Sequence, residues 1–297
     1  MEAFVQQSIN GVSLGAIYAL IALGYNLIFG VLNVFTFAHG TVVVMGAYSM
    51  LILTTKFGVN YYVAMAMGVI VSVVVGLIIE RTTVRPIRDN GWAVVIATFG
   101  AAIVIENLMR HYKHVPALPV PFPVPFEQSY ITIFGDARIA MIQIFMLGVG
   151  VVLMTGLVLF VYRTKMGMAI RAVAQSPYIA ETLGIDLTKV AVVCFIVASA
   201  VGGMVGILYA IYYQTIYIHV GSQFLGLKGL VVIVVAGSGN IPGSLVVGIL
   251  LGVLEAFAIG YIDSALRDFV AYSALLLILI FRPSGLFGER AQVAFKV

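Results

Sequence analysis

Arg171-Ala-Val-Ala-Gln-Ser-Pro-Tyr-Ile-Ala-Glu-Thr-Leu-Gly184 is the most polar helix-patterned stretch in an otherwise apolar chain. Ser176 is a good N-cap, and Pro177 stands at the first helical position, where its missing N–H costs nothing. Ile179 and Leu183 fall one turn apart on one face, and Gly184 is the expected C′ stop. Asp186 then caps the next helix, which runs directly into the apolar run from Val190. A helix of about two turns is thus held between two membrane spans, with Arg163, Lys165, Arg171 and Lys189 around it. A short rigid helix in a basic loop suits contact with a partner in the cytoplasm; an amphipathic loop lying on the lipid surface is the plainer reading of the same residues.

The rest of the chain makes these flanking runs membrane spans. The sequence is 62% hydrophobic and 9% charged, against roughly 25% charged residues in a soluble domain. Apolar runs of about span length occupy 12–32, 34–54, 61–79, 92–109, 139–162, 190–213, 226–262 and 265–281. An all-α, polytopic membrane bundle of about eight spans follows, forming one transmembrane domain over 1–297 with no soluble domain. The net charge of +4 comes from loop cations and implies no nucleic-acid partner. Met1–Asn10 carries no Lys or Arg, unlike a cleaved signal peptide. Cys194, the one cysteine, lies within a span, which excludes an intrachain disulfide and a thiolate metal site.

Loop charge orients the bundle. The loops at 80–91 and 163–189 and the tail from Arg282 hold ten of the 16 Lys and Arg, so these three are placed in the cytoplasm. An even number of crossings must then separate the 163–189 loop from the tail. As one helix, 226–262 would be about 55 Å long against a core of about 30 Å, so it must break, at Ala236-Gly-Ser-Gly-Asn-Ile-Pro-Gly243. A short piece over 226–236 and a full helix over 242–260 restore the parity and put the N-terminus outside. Between the spans, Pro116, Pro119, Pro121, Pro123 and Pro125 give the external segment 110–138 an extended, polyproline-like backbone.

A second break, Asn33-Val-Phe-Thr-Phe-Ala-His-Gly40, precedes another helix, and its likeness to the first hints at an internal repeat. Helix N-termini at breaks can hold a carboxylate, which makes His39, Thr41, Ser238 and Asn240 candidate path residues. Each following helix is long enough to cross the core, however, which puts both breaks near the cytoplasmic face and favours capping and close packing. Gly11/Gly15, Gly202/Gly203/Gly206 and Gly248/Gly252 read as helix-packing seams. Glu106 and Glu255 are the carboxylates well inside apolar runs; Arg110 is the sequence-local partner for Glu106, and Glu255 has none. No phosphate loop, H-E-x-x-H or G-x-S-x-G pattern is present, so no catalytic residue, cofactor or metal is expected.

Several stretches together resemble the branched-chain amino acid ABC importer permeases of the Liv-type H class. They are Gly11 through Tyr25, Phe37-Ala-His-Gly40, Glu80-Arg81 with Arg85-Pro86, Gly167 through Val173, Leu183-Gly-Ile185, Gly239-Asn-Ile-Pro-Gly243 and Arg282-Pro-Ser-Gly285. The resemblance implies a multi-pass subunit of the bacterial inner membrane, C-terminus cytoplasmic, surrounded by lipid. Its implied partners are a second related permease, two cytoplasmic ABC ATPases and a periplasmic amino-acid-binding protein. It makes 163–189 a coupling loop in which Arg171, Ser176, Pro177, Tyr178, Ile179, Ala180, Glu181, Leu183 and Gly184 meet an ATPase. Two departures stand out: the importer pattern E-A-A-x-x-x-G keeps only Ala180 and Gly184, and position 41, often Glu in the family, is Thr. Urea, short amides and aromatic acids therefore remain alternative substrates. An ion-coupled secondary transporter would need a charged group near the midplane, yet no charged residue lies between Gly11 and Leu53. A purely structural membrane subunit is the third reading.

Overall fold

The computed structural model describes residues 2–111, 118–124, 129–134 and 137–288. Eleven α-helices account for most of them: α1 (Glu2–Leu32), α2 (Ala38–Thr55), α3 (Tyr61–Ile79), α4 (Gly91–His111), α5 (Met141–Arg163), α6 (Lys165–Gln175), α7 (Pro177–Thr182), α8 (Leu187–Tyr213), α9 (Leu227–Ala236), α10 (Ile241–Tyr261) and α11 (Arg267–Phe281). Eight helical segments are long and apolar enough to cross a membrane, and α9 belongs to a shorter apolar helix. Ten residues of α9 rise about 15 Å, half of a hydrocarbon core, so α9 is the short piece expected over 226–236.

α1 lies at the centre. It packs most extensively on α10 and also meets α5, α8 and α9. The α1–α10 seam is made by glycine: a Cβ on Gly252 would fall on the Gly15 backbone, and one on Gly15 would fall on Ile249. In lipid, where apolar side chains gain little by leaving the surroundings, such close backbone approach supplies the packing that holds helices together. A second seam joins α8 to α2 and α3, where Ser72 donates to the Val42 carbonyl at 3.1 Å. By contrast α4, α5 and α11 leave most of their apolar surface exposed, which fits lipid or a partner helix.

Loops sort to two opposite ends. At one end the turn after α3 meets the start of α8 (Arg88 Nη1 to Thr188 Oγ1, 3.2 Å). At the same end the C-terminal tail docks on α9, with Leu286 N–H donating to Val235 and Phe287 N–H to Ala236. At the other end β1 (Val120–Pro121) pairs with β4 (Thr215–Ile216), and β2 (Tyr130–Phe134) with β3 (Ala137–Ala140). There the Arg138 N–H donates to Gln6 of α1 at 2.9 Å. Of the proline-rich segment, Pro116 and Pro125 lie outside the described residues; within it, Val120 and Pro121 are strand-paired and Phe122 is buried.

Candidate coupling segment and path residues

The loop 163–189 holds two helices where the sequence suggested one. α6 is amphipathic: Ile170 and Val173 are buried, while Met168 and Arg171 face outward. Thr164 caps it by accepting from the Gly167 N–H at 3.0 Å. Ser176 ends α6 and caps α7, accepting from Ile179 N–H at 3.3 Å. Gly184 terminates α7 at φ +81°, in the left-handed region that a side chain disfavours. Asp186 caps α8 by accepting from the Thr188 and Lys189 N–H groups at 3.0 and 3.1 Å. Those bonds, the one from Lys189 first, hold the Asp186 carboxyl below its usual range.

Within α7 the side chains divide sharply. Ala180 is buried in a small cluster with Ile170, Val173, Val190 and Cys194. Tyr178, Ile179 and Leu183 are 76%, 57% and 74% exposed. A helix of under two turns therefore presents three large apolar groups outward while one alanine pins it to the bundle. Pro177 and Glu181 lie on the exposed surface beside them, and Arg171 stacks over the Tyr162 ring at 5.2 Å. Caps at both ends fix the backbone, so the exposed groups are held in a defined array.

The four path candidates are not gathered into one site. His39 is buried within the bundle, its ring edge-on to Tyr25 at 4.8 Å, in a space left by Gly24 and Gly202. Neither His39 Nε2 nor Thr41 Oγ1 has a hydrogen-bond partner among the described residues. Asn240 caps α10, accepting from Gly243 N–H at 2.8 Å, and donates to the Phe287 carbonyl at 2.9 Å. Ser238 is exposed in the turn between Gly237 and Gly239, whose φ values are +98° and +91°. Both breaks meet α1 through adjacent residues. Tyr25 faces His39, while Asn26 accepts from Gly239 N–H at 2.9 Å and donates to Ser244. These positions lie roughly 9–11 Å along α1 from its last residue, Leu32, at about 1.5 Å per residue.

Two ion clusters were not legible as such. Glu106 pairs with His219 (Nδ1 to Oε2, 3.1 Å) rather than with Arg110, which donates to His219 Nε2 at 2.8 Å. Because arginine only donates, this geometry makes the His219 Nδ1–H the donor to Glu106. Glu255 finds its partner in Lys228 of α9, at 2.5 Å. Lys228 also reaches Asp268 of α11 at 2.9 Å and the Tyr18 hydroxyl at 3.2 Å, and Tyr18 donates to Glu255 at 2.7 Å. The ammonium sits 4.0 Å from the Phe224 ring centroid, and neither the Lys228 nor the Glu255 side chain is exposed.

A family model described as "Branched-chain amino acid transport system / permease component" matches residues 8–280. The high-affinity branched-chain amino acid transport system permease protein BraD of Pseudomonas aeruginosa is 32% identical, over 96% of each chain. The corresponding LivH protein of Escherichia coli is 31% identical, again over 96% of each. A permease protein named LivM, from Salmonella typhimurium, is 23% identical over 97% of this chain and 72% of its own. Among solved structures, a chain of PsaBC from Streptococcus pneumoniae in complex with Fab aligns at TM-score 0.45 and 12% identity, over 95% of this chain and 91% of that one.

Proposed function

The chain belongs to the family of branched-chain amino acid transport system permease components, and on that premise we propose that it is the membrane subunit of a binding-protein-dependent ABC importer for leucine, isoleucine, valine or similar neutral amino acids. The observation that carries this reading is the match itself, which runs through both breaks and the α6–α7 segment. Two differently named permease proteins, LivH and LivM, match nearly the whole chain, which supports assembly with a second related permease. The chain itself transports; two ATPases bound at the basic, cytoplasmic end hydrolyse ATP, and a periplasmic binding protein delivers solute at the other. The membrane is the bacterial inner membrane.

In this reading α7 is the coupling element. Its exposed Tyr178, Ile179 and Leu183 enter an ATPase groove, and the Ala180 contact and the caps pass the push to α6 and α8. His39 and Asn240 stand where the two breaks touch α1, so they act on how α2 and α10 move rather than as a shared binding pocket.

Uptake of labelled leucine and of labelled urea into vesicles holding the reconstituted complex and its binding protein tests the assignment. Leucine should enter only with ATP inside. Entry of urea without leucine would overturn the amino-acid assignment and leave the importer assignment standing. Uptake that follows an ion gradient without ATP would overturn both.

A further inference from the structure

At the end of the bundle opposite α6 and α7, a cavity of about 360 Å³ opens between α1, the start of α5, the end of α8 and the β2–β3 hairpin. That volume falls in the range of small-molecule sites. Its polar framework is a chain of amides. Gln6 and Gln143 both donate to Asn10 Oδ1, at 3.2 and 2.9 Å. Gln143 Oε1 accepts from the Ala140 N–H at 3.0 Å, and Gln6 Oε1 accepts from the Arg138 N–H.

The three side-chain carbonyls are thereby turned to donors within the chain, which stitches the hairpin to α1 and α5. Stitching does not account for what is left over. Asn10 Nδ2 and the Arg138 guanidinium both line the cavity, and neither has an acceptor among the described residues. Among the described residues no Asp or Glu lines the cavity, so none of them there balances the guanidinium charge. A donor-rich wall carrying one cation recognises an anionic acceptor, and a planar guanidinium fits a carboxylate best. Ile142 and the Tyr212 ring supply an apolar wall beside it.

We propose that this cavity receives a free small amino acid, its carboxylate held by Arg138 and Asn10 and its aliphatic chain laid against Ile142 and Tyr212. The proposal rests on the importer reading and adds to it a permease-side site that solute occupies after leaving the binding protein. The proposal makes the site favour a zwitterion over the corresponding α-amide, which keeps the ammonium but lacks the carboxylate charge that Arg138 meets.

The test measures binding of labelled leucine to the reconstituted complex without its binding protein, with leucinamide as the matched probe. Saturable leucine binding is expected, weakened about tenfold to a hundredfold in Arg138→Ala, the effect of losing a charge-assisted hydrogen bond. Arg138→Lys should recover part of the loss, and leucinamide should bind the wild type and Arg138→Ala equally weakly. Equal leucine affinity in wild type and Arg138→Ala overturns the site. So does the absence of saturable binding in vesicles that still take up leucine through the binding protein, and the importer reading then stands. Vesicles that neither bind nor take up leucine overturn both. If Arg138→Ala weakens capture of the binding protein and leaves leucine affinity intact, the cavity is a docking socket and the solute site is wrong.

Discussion

Replacing Lys228 by Met should destabilise the protein far more than replacing Lys228 and Glu255 together. The single substitution removes the cation from a site where neither the Lys228 nor the Glu255 side chain is exposed. Among the described residues, Glu255 then keeps the hydrogen bond from the Tyr18 hydroxyl, at 2.7 Å, with no cation in direct contact. Removing one partner of a buried pair costs about 3–5 kcal/mol, whereas replacing the whole pair by apolar groups of similar volume is often neutral. Asp268 is 49% exposed and can turn toward water or Arg267, so its loss of Lys228 adds little. Each kcal/mol shifts a melting midpoint by about 2–4 °C in chains of 150–250 residues, which puts Lys228→Met roughly 6–20 °C below the wild type. Lys228→Met/Glu255→Met should recover most of that shift. Thermal unfolding in lipid nanodiscs, followed by the fraction that stays monodisperse, gives both midpoints. A Lys228→Met midpoint equal to the wild type, or a double substitution as unstable as the single, would refute the argument that the cost lies in the stranded carboxylate. If the double substitution is stable but transports poorly, the ion cluster matters to the movement of α9 more than to the fold.

Other expectations follow from single features. Ile179→Asp/Leu183→Asp should leave the permease's own melting unchanged, since both side chains are already exposed, while removing apolar anchors of about 1.5–3 kcal/mol each from any ATPase contact; co-purification of the ATPases and stimulated hydrolysis would report it. Single cysteines at Asp89 and Gln175, in a Cys194→Ser background, should react with an impermeant maleimide only from the cytoplasmic side, and one at Ser264 only from outside; labelling of Gln175 from outside would overturn the orientation. Gly252→Leu should abolish folding, because its Cβ alone would meet the Gly15 backbone, and the readout is recovery of monodisperse protein. The Asp186 cap is held by a carboxylate whose folded pKa is lowered, so its contribution is complete above the ordinary carboxylate range and fades as pH falls through the depressed value; amide exchange at Thr188 and Lys189 should accordingly be protected at pH 7 and at pH 5 alike, with protection falling only in stronger acid.

Whatever depended on local chemistry was readable in the residues. The over-long run 226–262 had to break, and it breaks at the glycines that take positive φ. Ser176, Gly184, Asp186 and Asn240 each cap or stop a helix where their side chains require. α6 is hard to read from the residues because its ends, Thr164 and Ser176, resemble loop residues beside the longer apolar runs. Lys228 lies at the start of the apolar run 226–262, and its carboxylates, at 255 and 268, are too distant along the chain for spacing to pair them with it. Arg110 was the nearest cation to Glu106 along the helix, but the π-helical segment beginning at Val220 brings His219 between them. In both ion clusters the deciding neighbour is set by tertiary packing, which no spacing along one helix records.

The central position of α1 has a consequence for how the protein is made. Tyr18 and Glu255 are 237 residues apart, and ribosomes add roughly 5–20 residues per second. For roughly 10–50 s after α1 enters the bilayer, its glycine seam, Ser13, Tyr18 and Asn26 face lipid or the insertion machinery, because α10 has not been synthesised. A span that is mostly buried in the finished bundle must therefore be tolerated as a nascent, lipid-exposed helix. Its run of small and aliphatic residues from Gly11 to Ala22, free of charge, allows that wait. A charge introduced on the α10-facing side of α1 would strike first at biogenesis, and the damage would show as loss of nascent chain before any mature permease could be assayed.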